Sequence, residues 1–387
     1  MKPTARDSSK PVAILFANLK GNVGDFAILH AMLLDISAHY PDCPIHVFTH
    51  PLVAVDELRF AEFRRQVPSF DIAGRVFYEP SALYERFNVG IIKTWPWFQS
   101  YTTRVSGGRA GPWAERFANY AAIFFIGGGL WHGRELGQCM FGTLLALHDR
   151  NTNIFAYPFS VNTKISQRYH SSEIRRYFSL LRAPIVVRDT MSRSVLESIG
   201  VPCRQGRDSA FMLRDLVAQI GPRADRDRSR VLFAVKGHAK DLEPQLAELV
   251  STGRNLELIT SCAVEDEAVC RELAGRLGVP FHLPLSWQEL AAELRASSLI
   301  VSNRLHCLIF GTLVDTPILP VTNRQKSEAY ARDAGLPCAA ANERQLSKAL
   351  IDRAMDERNT IVERMKEYRD RIDVDAISPL RDPSRQQ

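Results

Sequence analysis

The sequence lacks the patterns of several protein classes. Its seven cysteines are odd in number and never spaced as C-x-x-C, which argues against a zinc site or a disulfide framework and favours a reducing compartment. The longest apolar run, residues 121–131, contains three glycines and is too short to span a bilayer. The apolar run at residues 12–17 is too short for the core of a signal peptide. We therefore expect a cytoplasmic protein.

The charge excess expected of a nucleic-acid-binding protein is also missing. Lys plus Arg number 49 and Asp plus Glu 43, which gives a formal net charge of +6. No stripe of basic residues is interleaved with aromatics, so we expect no nucleic acid partner. The modest positive charge suits anionic small substrates or an anionic membrane surface. No cluster of His, Asp and Glu has the spacing of metal ligands, so we expect neither a metal nor another cofactor.

The chain does contain a repeated alternation of strand and helix patterns, which is typical of an α/β protein with parallel sheets. Its 387 residues, 45% of them hydrophobic, are enough for two domains with separate cores. Residues 219–230 are charged, contain Gly and Pro and lack apolar periodicity, as expected of a linker. The predicted division is a flexible arm at 1–10, a Rossmann-like domain at 11–218, the linker at 219–230, a second Rossmann-like domain at 231–342, and a C-terminal helix and tail at 343–387.

Individual elements follow from the apolar runs and their flanking residues. Strands are predicted at residues 12–17, 45–48, 76–78, 122–126, 153–157, 185–187, 207–213, 231–235, 256–259, 281–283, 299–301 and 318–321. Helices are predicted at residues 26–40, 192–199, 246–250, 265–277, 287–295, 304–314 and 344–372. We expect the last helix to pack back across the two domains.

Residues 92–118 depart from this alternation because they are rich in aromatic side chains. They contain Trp95, Trp97, Phe98, Tyr101 and Trp113 among basic residues. One interpretation is an ordinary aromatic cluster that packs a long insertion. The other is a surface that stacks on sugars or faces a membrane, since flat rings with polar atoms suit both.

Two glycine-containing turns follow predicted strands. Gly21 and Gly24 permit a tight turn with exposed backbone amides, and Asp25 is either the cap of the next helix or a catalytic carboxylate. This turn resembles a phosphate-binding turn but has neither the G-x-G-x-x-G nor the P-loop pattern. The run Gly127 to Gly129 ends another strand, where we expect a ligand to approach the backbone closely.

The stretch 298–321 places an arginine and a histidine beside a helix start. We predict Asn303 as the N-cap of the following helix, with Arg304 and His306 in its first turn. Free amides and the helix dipole make such a position attractive to anions. The alternative is a surface cation next to a histidine that packs in the core.

Four stretches in this order resemble the polysaccharide pyruvyl transferase family, over roughly residues 12–336. They are Gly21-Asn-Val-Gly-Asp25, Ile126-Gly-Gly-Gly129, Val187-Arg-Asp189 with Ser192 and Asp208, and Asn303-Arg-Leu-His306 with Thr316-Pro317 and Lys326. Two segments depart from the family pattern, Ile154–Ser160 in place of a Gly-Gln-Ser-like loop and Val235–His238 in place of an arginine-ended strand. These departures concern the acceptor more than the donor.

The resemblance implies a two-domain fold like that of GT-B glycosyltransferases, with the active site in the cleft between the domains. It implies transfer of a pyruvyl group from phosphoenolpyruvate to two sugar hydroxyls, as a cyclic ketal in an exopolysaccharide or cell-surface glycan precursor. The acceptor is then expected to be lipid-linked at the inner face of the cytoplasmic membrane, with peripheral membrane contact. By motif, Arg188 and Arg304 would hold the donor, and His306 would act as acid or base. Candidate substrate-binding residues are Asn22, Gly24, Gly128, Gly129, Arg188, Asn303, Arg304 and Lys326.

The chemistry of this reaction needs residues of these types. Phosphoenolpyruvate carries a carboxylate and a phosphate, so its pocket needs at least two fixed cations, and the arginine fork suits both groups. A general acid must protonate the donor carbon C3, and a base must accept the hydroxyl protons. Asp25 is the first candidate for that base and Glu328 the second. The alternatives are a nucleotide-sugar glycosyltransferase with the same fold and a binding protein without activity.

Overall fold

The computed structural model describes the chain apart from residues 1–9, 18, 20, 50–53, 76–95, 132–134, 183, 222–228, 235–238, 323, 337–339, 341–344 and 382–387. Its strands are β1 Val12–Ala17, β2 Ile45–Thr49, β3 Phe70–Arg75, β4 Ala122–Phe125, β5 Gly128–Trp131, β6 Ile154–Ala156, β7 Phe159–Val161, β8 Val186–Val187, β9 Arg204–Gln205, β10 Val231–Ala234, β11 Leu256–Ile259, β12 Phe281–His282, β13 Leu299–Ser302 and β14 Ile318–Pro320.

The helices of the described residues lie between these strands and after the last one. They are α1 Val23–His39, α2 Ala54–Gln66, α3 Pro96–Ala114, α4 Glu135–His148, α5 Ser171–Ser179, α6 Thr190–Ser198, α7 Arg214–Ala218, α8 Ala239–Ser251, α9 Ala263–Leu277, α10 Trp287–Arg295, α11 Leu305–Leu313, α12 Gln325–Asp333, α13 Lys348–Asp356 and α14 Arg358–Asp370. Among these, no helix is long and apolar enough to cross a membrane.

The strands form three sheets in which neighbouring strands run parallel. Two sheets have the Rossmann-type order with the first strand in the centre, β3-β2-β1-β4-β6 and β12-β11-β10-β13-β14. The third sheet, β5-β7-β8-β9, continues the first, because β4 leads into β5 and β6 leads into β7 after short breaks. The predicted α/β fold with two parallel, Rossmann-like sheets is therefore confirmed.

Helix α1 lies between two hydrophobic cores. Its residues Phe26 and Leu29 pack in the core around β1, whereas Val23, Ala27 and Ala31, spaced four apart on another face, pack in the core around β10. A helix buried on two faces needs few polar residues, which explains the apolar stretch after Asp25. Its N-terminus consequently lies where the two halves meet.

The C-terminal segment packs across both halves, as predicted. Tyr368 of α14 contacts the ring of Phe211 at 5.9 Å. Beyond α14, the Ser378 hydroxyl donates to Asp35 of α1, and Arg204 donates to the Ser378 carbonyl at 2.7 Å. The domain boundaries at 11–218 and 231–342 remain predictions.

Several element predictions were wrong or incomplete. The strand predicted at 207–213 is a 3-10 helix, Ser209–Leu213, because the Asp208 side chain accepts from the Ala210 backbone N–H and caps it. The predicted helix at 344–372 is two helices, α13 and α14. The elements that were not predicted are strands β3, β5, β7 and β9 and helices α2, α3, α4, α5, α7 and α12. The strand predicted at 76–78 lies outside the described residues, as do the flexible arm up to residue 9 and most of the linker.

The described part of the aromatic segment packs as an insertion. Trp113 is the residue before the end of helix α3, and its ring centroid lies 4.7 Å from that of Phe117 and 6.2 Å from that of Phe48. Tyr101 is 48% exposed. These contacts support the packing interpretation for Trp113, whereas Trp95 lies outside the described residues.

Candidate active site

A cleft of about 580 Å³ lies at the carboxyl ends of the parallel strands, a usual place for ligands in open α/β sheets. Its volume is in the range of small-molecule sites. Residues that follow β1, β4, β7 and β8 form one wall, and residues that follow β11, β13 and β14 form the other. The lining residues are Phe16, Asn22, Asp25, Ile126, Gly127, Gly128, Ser160, Val161, Asn162, Arg188, Ser261, Glu265, Asn303, Arg304, Leu305, His306, Arg324, Gln325 and Lys326.

Helix α1 begins at this cleft. Asn22 is its N-cap, with Oδ1 accepting from the Gly24 backbone N–H at 3.0 Å. The Asn22 amide also donates to Asp25 Oδ2 at 2.8 Å, so the cap residue orients the carboxylate. The Val23 backbone N–H donates to the Ser261 carbonyl at 2.8 Å, which joins the start of α1 to the other half of the molecule.

Helix α11 also begins at the cleft, but its cap differs from the prediction. Arg304, not Asn303, is the N-cap residue, and His306 is in the first turn. Asn303 is 4% exposed and lies between β13 and the cap. The difference arises because Ser302 Oγ accepts from the Arg304 backbone N–H at 2.9 Å and holds the strand exit. The short polar residue that orders this turn is therefore one position earlier than expected.

The Arg304 guanidinium is paired with a carboxylate at the cleft. It forms an ion pair with Asp266 of α9, and Glu265 Oε2 lies 3.6 Å from its Nη2. Burial lowers the pKa of Arg304. A donor anion that binds to Arg304 would therefore share it with, or take it from, Asp266.

The Arg188 guanidinium is held from the opposite wall. Its Nε donates to Ser160 Oγ at 2.5 Å and its Nη1 to Asp208 Oδ2 at 2.9 Å. The Ser160 hydroxyl donates in turn to Asp189 Oδ2 at 2.5 Å. Nη2 of Arg188 is buried without a hydrogen-bond partner, so one donor of this fixed fork remains for a ligand.

The His306 ring is wedged between the two walls. A Cβ atom added to Gly24 would lie 1.8 Å from His306 Nδ1, so the ring packs directly on the backbone of α1. Its Nε2 is 3.8 Å from Asp208 Oδ2. Burial lowers the pKa of His306 to about 4, with Asp208 acting against this and Arg188 and other cations adding to it. The ring is therefore neutral at pH 7.

The pKa values of Asp25 and Lys326 are displaced in opposite directions, and both approach neutral pH. Burial raises the pKa of Asp25 to about 6, while Lys326 and the two arginines act against this change. Burial, together with the positive charge of Arg188, lowers the pKa of Lys326 to about 7. Two groups that titrate near pH 7 in one cleft are suited to acid–base chemistry.

The structure brings most of the predicted site residues together. Asn22, Asp25, Gly128, Arg188, Asn303, Arg304, His306 and Lys326 line the cleft, and Gly24 supports the ring of His306. Gly128 has φ +105, a backbone conformation that side chains rarely adopt. Gly129 lies in β5. Glu328 is not a lining residue of the cleft, and it pairs with Arg332 at 2.9 Å.

The sequence argument missed several cleft residues. Arg324 and Gln325 start helix α12, and Gln325 donates to the Val161 carbonyl across the cleft at 2.9 Å. Ser160 and Glu265 also line it. Arg324, Gln325 and Glu265 come after the carboxyl ends of strands and Ser160 lies within β7, and a position at such a strand end is the signal that could have identified them. Within the described residues, no group of three His, Cys, Asp or Glu could hold a metal ion.

Solved structures of low sequence identity share this fold. The S. aureus MnaA–UDP structure superposes with a TM-score of 0.63 at 11% identity, covering 95% of this chain and 93% of that one. A UDP-GlcNAc 2-epimerase from Neisseria meningitidis bound to UDP-GlcNAc gives 0.57 at 12% identity, with 94% of each chain covered. A putative UDP-N-acetylglucosamine 2-epimerase from Listeria monocytogenes gives 0.57 at 11% identity, covering 92% and 90%. Together with the two Rossmann-like sheets, these likenesses define a GT-B-like fold.

The family follows from the sequence comparison. No curated protein matches this chain in sequence. The family model for polysaccharide pyruvyl transferase matches residues 22–325, from the cap of α1 to the first residue of α12. The chain therefore belongs to the polysaccharide pyruvyl transferase family and is a transferase, and membership implies a glycan acceptor.

Proposed function

We propose that this enzyme transfers the pyruvyl group of phosphoenolpyruvate to two hydroxyls of a sugar in an exopolysaccharide or cell-surface glycan precursor, forming a cyclic ketal and releasing phosphate. The observation that carries the proposal is the meeting of Arg188 and Lys326 with Arg304 and His306 in one cleft. Such a set binds a small molecule that carries two anionic groups and places an acid–base group beside it.

In this proposal the donor lies between the two walls. The free Nη2 of Arg188 binds one anionic group, and Arg304 binds the other after loosening its contact with Asp266. Lys326 adds a third cation from α12. The amides at the start of α1 and α11 favour the same anions because both helices begin at the cleft.

The proposed reaction has two bond-forming stages. A proton adds to C3 of the donor, and the oxygen of the first sugar hydroxyl bonds to C2 while its proton passes to a base. The C2–O bond to phosphate then breaks, with its electron pair leaving on the phosphate. The second hydroxyl bonds to C2 and its proton leaves with the phosphate as hydrogen phosphate. No step in this scheme needs a metal or a cofactor.

In this scheme His306 donates a proton and Asp25 accepts one. The donor phosphate, once bound, raises the pKa of His306 and charges the ring, so that it can protonate C3. Asp25 accepts a hydroxyl proton, and its pKa near 6 makes it a stronger base than an ordinary aspartate. A lipid-linked acceptor at the inner face of the cytoplasmic membrane is part of the proposal and rests on the resemblance to the family.

A turnover assay tests the proposal. Incubation with phosphoenolpyruvate and candidate oligosaccharides should release phosphate and add the mass of a pyruvyl group to the sugar. His306→Ala and Arg304→Ala should each reduce the rate by at least ~10²-fold. Unchanged rates in these variants would remove both residues from the site.

The same assay tests the base through its pH dependence. Because Asp25 must be unprotonated, kcat/KM should fall as the pH drops below about 6. Asp25→Asn should slow the reaction and abolish that limb of the profile. Glu328→Gln is the control, since Glu328 is paired with Arg332 away from the cleft, and it should leave the profile unchanged.

A nucleotide-sugar glycosyltransferase is the second candidate. It is favoured by the structural neighbours, one solved with UDP and another bound to UDP-GlcNAc, although at 11–12% identity they support the fold alone. Thermal stabilisation separates the two candidates. The pyruvyl transferase is stabilised by phosphoenolpyruvate, whereas a glycosyltransferase would be stabilised by a nucleoside diphosphate.

A further inference from the structure

A buried carboxylate that takes no part in the steps above lies beside two residues of the site. Asp208 is 4% exposed and comes directly before the 3-10 helix. Its Oδ1 accepts from the Ala210 backbone N–H at 3.0 Å, which fixes the side chain. Its Oδ2 lies 2.9 Å from Arg188 Nη1 and 3.8 Å from His306 Nε2. One oxygen therefore faces the end of β8 and the start of α11 at the same time.

The position of Asp208 determines which ring nitrogen of His306 carries the proton. Nε2 is buried and makes no hydrogen bond, with the Asp208 carboxylate as the nearest acidic group. A carboxylate favours an N–H over a lone pair on the nitrogen that faces it, so Nε2 carries the proton. Gly24 blocks any rotation of the ring towards α1. Nδ1 is then the nitrogen that remains for proton exchange with a substrate.

We propose that Asp208 is the positioning residue of this site, holding His306 with its proton on Nε2 and stabilising the imidazolium while it orients Arg188 towards the donor. The inference rests on the proposed function, because it assumes that His306 and Arg188 act on the donor. In the donor complex Nδ1 gives its proton to C3, so the Nδ1–H bond breaks as the C3–H bond forms. The charge that His306 carries before this step lies next to Asp208.

The cations around His306 disfavour its protonated form, so a nearby carboxylate is needed to stabilise that form. Arg188 at the end of β8, Lys326 on α12 and Arg304 at the start of α11 all disfavour a charged His306 ring. Asp25 on α1 and Glu265 on α9 are the carboxyl groups among the described residues that line the cleft. Asp208 is the group that acts in favour of the charged ring, and His306 and Arg188 in turn lower the pKa of Asp208 against the effect of its burial. Asp208 thus remains ionised at the pH at which His306 must accept a proton.

The first test measures the His306 pKa by NMR in the full-length protein with phosphoenolpyruvate bound, because the donor phosphate raises this pKa, and it needs no acceptor and no turnover. Asp208→Asn keeps the shape and the capping oxygen but removes the charge, so the pKa of His306 should fall by roughly 1–3 units. Asp208→Glu keeps the charge, so it should keep the pKa of His306 close to the wild-type value. Asp189→Asn is the matched control, because Asp189 also lies near Arg188 and caps a helix but does not face His306. It should lower Tm without moving the His306 pKa.

The second test uses turnover with phosphoenolpyruvate. Asp208→Asn should lower kcat by at least ~10²-fold, with a smaller change in KM, and Asp208→Glu should recover part of the loss. An effect of Asp208→Asn on the His306 pKa no larger than that of Asp189→Asn would overturn the inference. If Asp208→Asn does not fold, Asp208→Ser takes its place, because serine also removes the charge but keeps a capping oxygen, and it should lower the His306 pKa in the same way.

Failure of the proposed function and failure of the positioning role of Asp208 give different results. If phosphoenolpyruvate leaves the His306 signal and Tm unchanged in the wild type, the proposed function fails, whatever Asp208 does in the free protein. If phosphoenolpyruvate binds but Asp208→Asn leaves the His306 pKa unchanged, the positioning role fails and the proposed function stands.

Discussion

The contact between Gly24 and His306 leaves no room for a side chain. Gly24→Ala would place a methyl group where the imidazole lies, 1.8 Å from Nδ1, so the ring must move by more than an ångström. A displacement of that size costs on the order of 10²-fold in rate when the displaced group is catalytic. We expect kcat to fall by about that factor while the protein remains folded, as measured by turnover and by thermal unfolding.

Gly275→Ala is the matched control for this substitution. Gly275 also lies within a helix, α9, and an added Cβ would meet nothing within 4 Å. Alanine at such a position stabilises a helix by roughly 0.5–1 kcal/mol, so Tm should rise slightly and kcat should not change. Equal rates for the Gly24 and Gly275 variants would show that the ring of His306 has no role in turnover.

The start of α11 shows at the scale of one element what local sequence can predict. A short apolar strand, a polar turn and an apolar helix were each expected from their residue patterns, and the structure contains all three. The cap was placed one residue too early, at Asn303 instead of Arg304, because either Ser302 or Asn303 can satisfy the exposed amides and sequence spacing does not separate them. The choice depends on Ser302 Oγ, which also donates to the Ala234 carbonyl of β10.

Helix α12 shows the opposite case. Its residues are mostly polar, with few apolar positions to reveal a period, so the sequence pattern did not predict it. It forms because Tyr330 and Ala329 pack inward, and the Tyr330 hydroxyl pairs with Thr312 of α11. Its first residues, Gln325 and Lys326, reach the cleft as a consequence. Tertiary packing therefore created a site element that local patterns did not reveal.

The packing of α11 on its sheet can be tested through Gly311. An added Cβ would lie 2.6 Å from Ile318 Cγ2 and 2.9 Å from Ile300 Cδ1, so Gly311→Ala must push the helix away from β13 and β14. Overpacking of this kind costs about 1–3 kcal/mol. We expect a lower urea midpoint and, because His306 is on the same helix, a lower kcat. A urea midpoint as high as that of Gly275→Ala would contradict this account.

At the scale of the whole molecule, the site exists because two halves meet along α1. Asp25 belongs to the first half and Arg304 to the second, and their proximity depends on long-range packing rather than on spacing in the chain. Physical patterns alone predicted the strand ends and an anion-binding helix start. The motif resemblance supplied the pairing of Arg188 with Arg304 in one cleft. Neither the physical patterns nor the motif resemblance indicated that Asp208 lies beside His306. That proximity depends on the 3-10 helix, which was predicted to be a strand.

A second contact between the halves involves a buried histidine with fixed partners. His30 of α1 accepts at Nδ1 from the indole N–H of Trp287 in α10 at 2.9 Å, and its Nε2 donates to the Gln66 side chain at 2.9 Å. Burial lowers the pKa of His30 to about 4, against the hydrogen bond with Gln66. The folded protein then binds fewer protons than the unfolded chain between pH 6.5 and 4. Its unfolding free energy should therefore fall as the pH drops through that window.

Trp287→Phe tests whether this contact holds the halves together and sets the pH response. Phenylalanine keeps a ring against Phe310 but loses the indole donor, so Nδ1 of His30 is left unpaired and the unfolding free energy at pH 7 should fall by about 1–3 kcal/mol. The decline between pH 7 and 5 should become shallower, because a protonated Nδ1 no longer meets another donor. Phe63→Leu, which removes only the ring stacked on His30 at 4.5 Å, should lower stability without changing that slope. Urea unfolding at both pH values measures each effect, and equal slopes in all three proteins would rule out the Trp287 hydrogen bond as the source of the pH response.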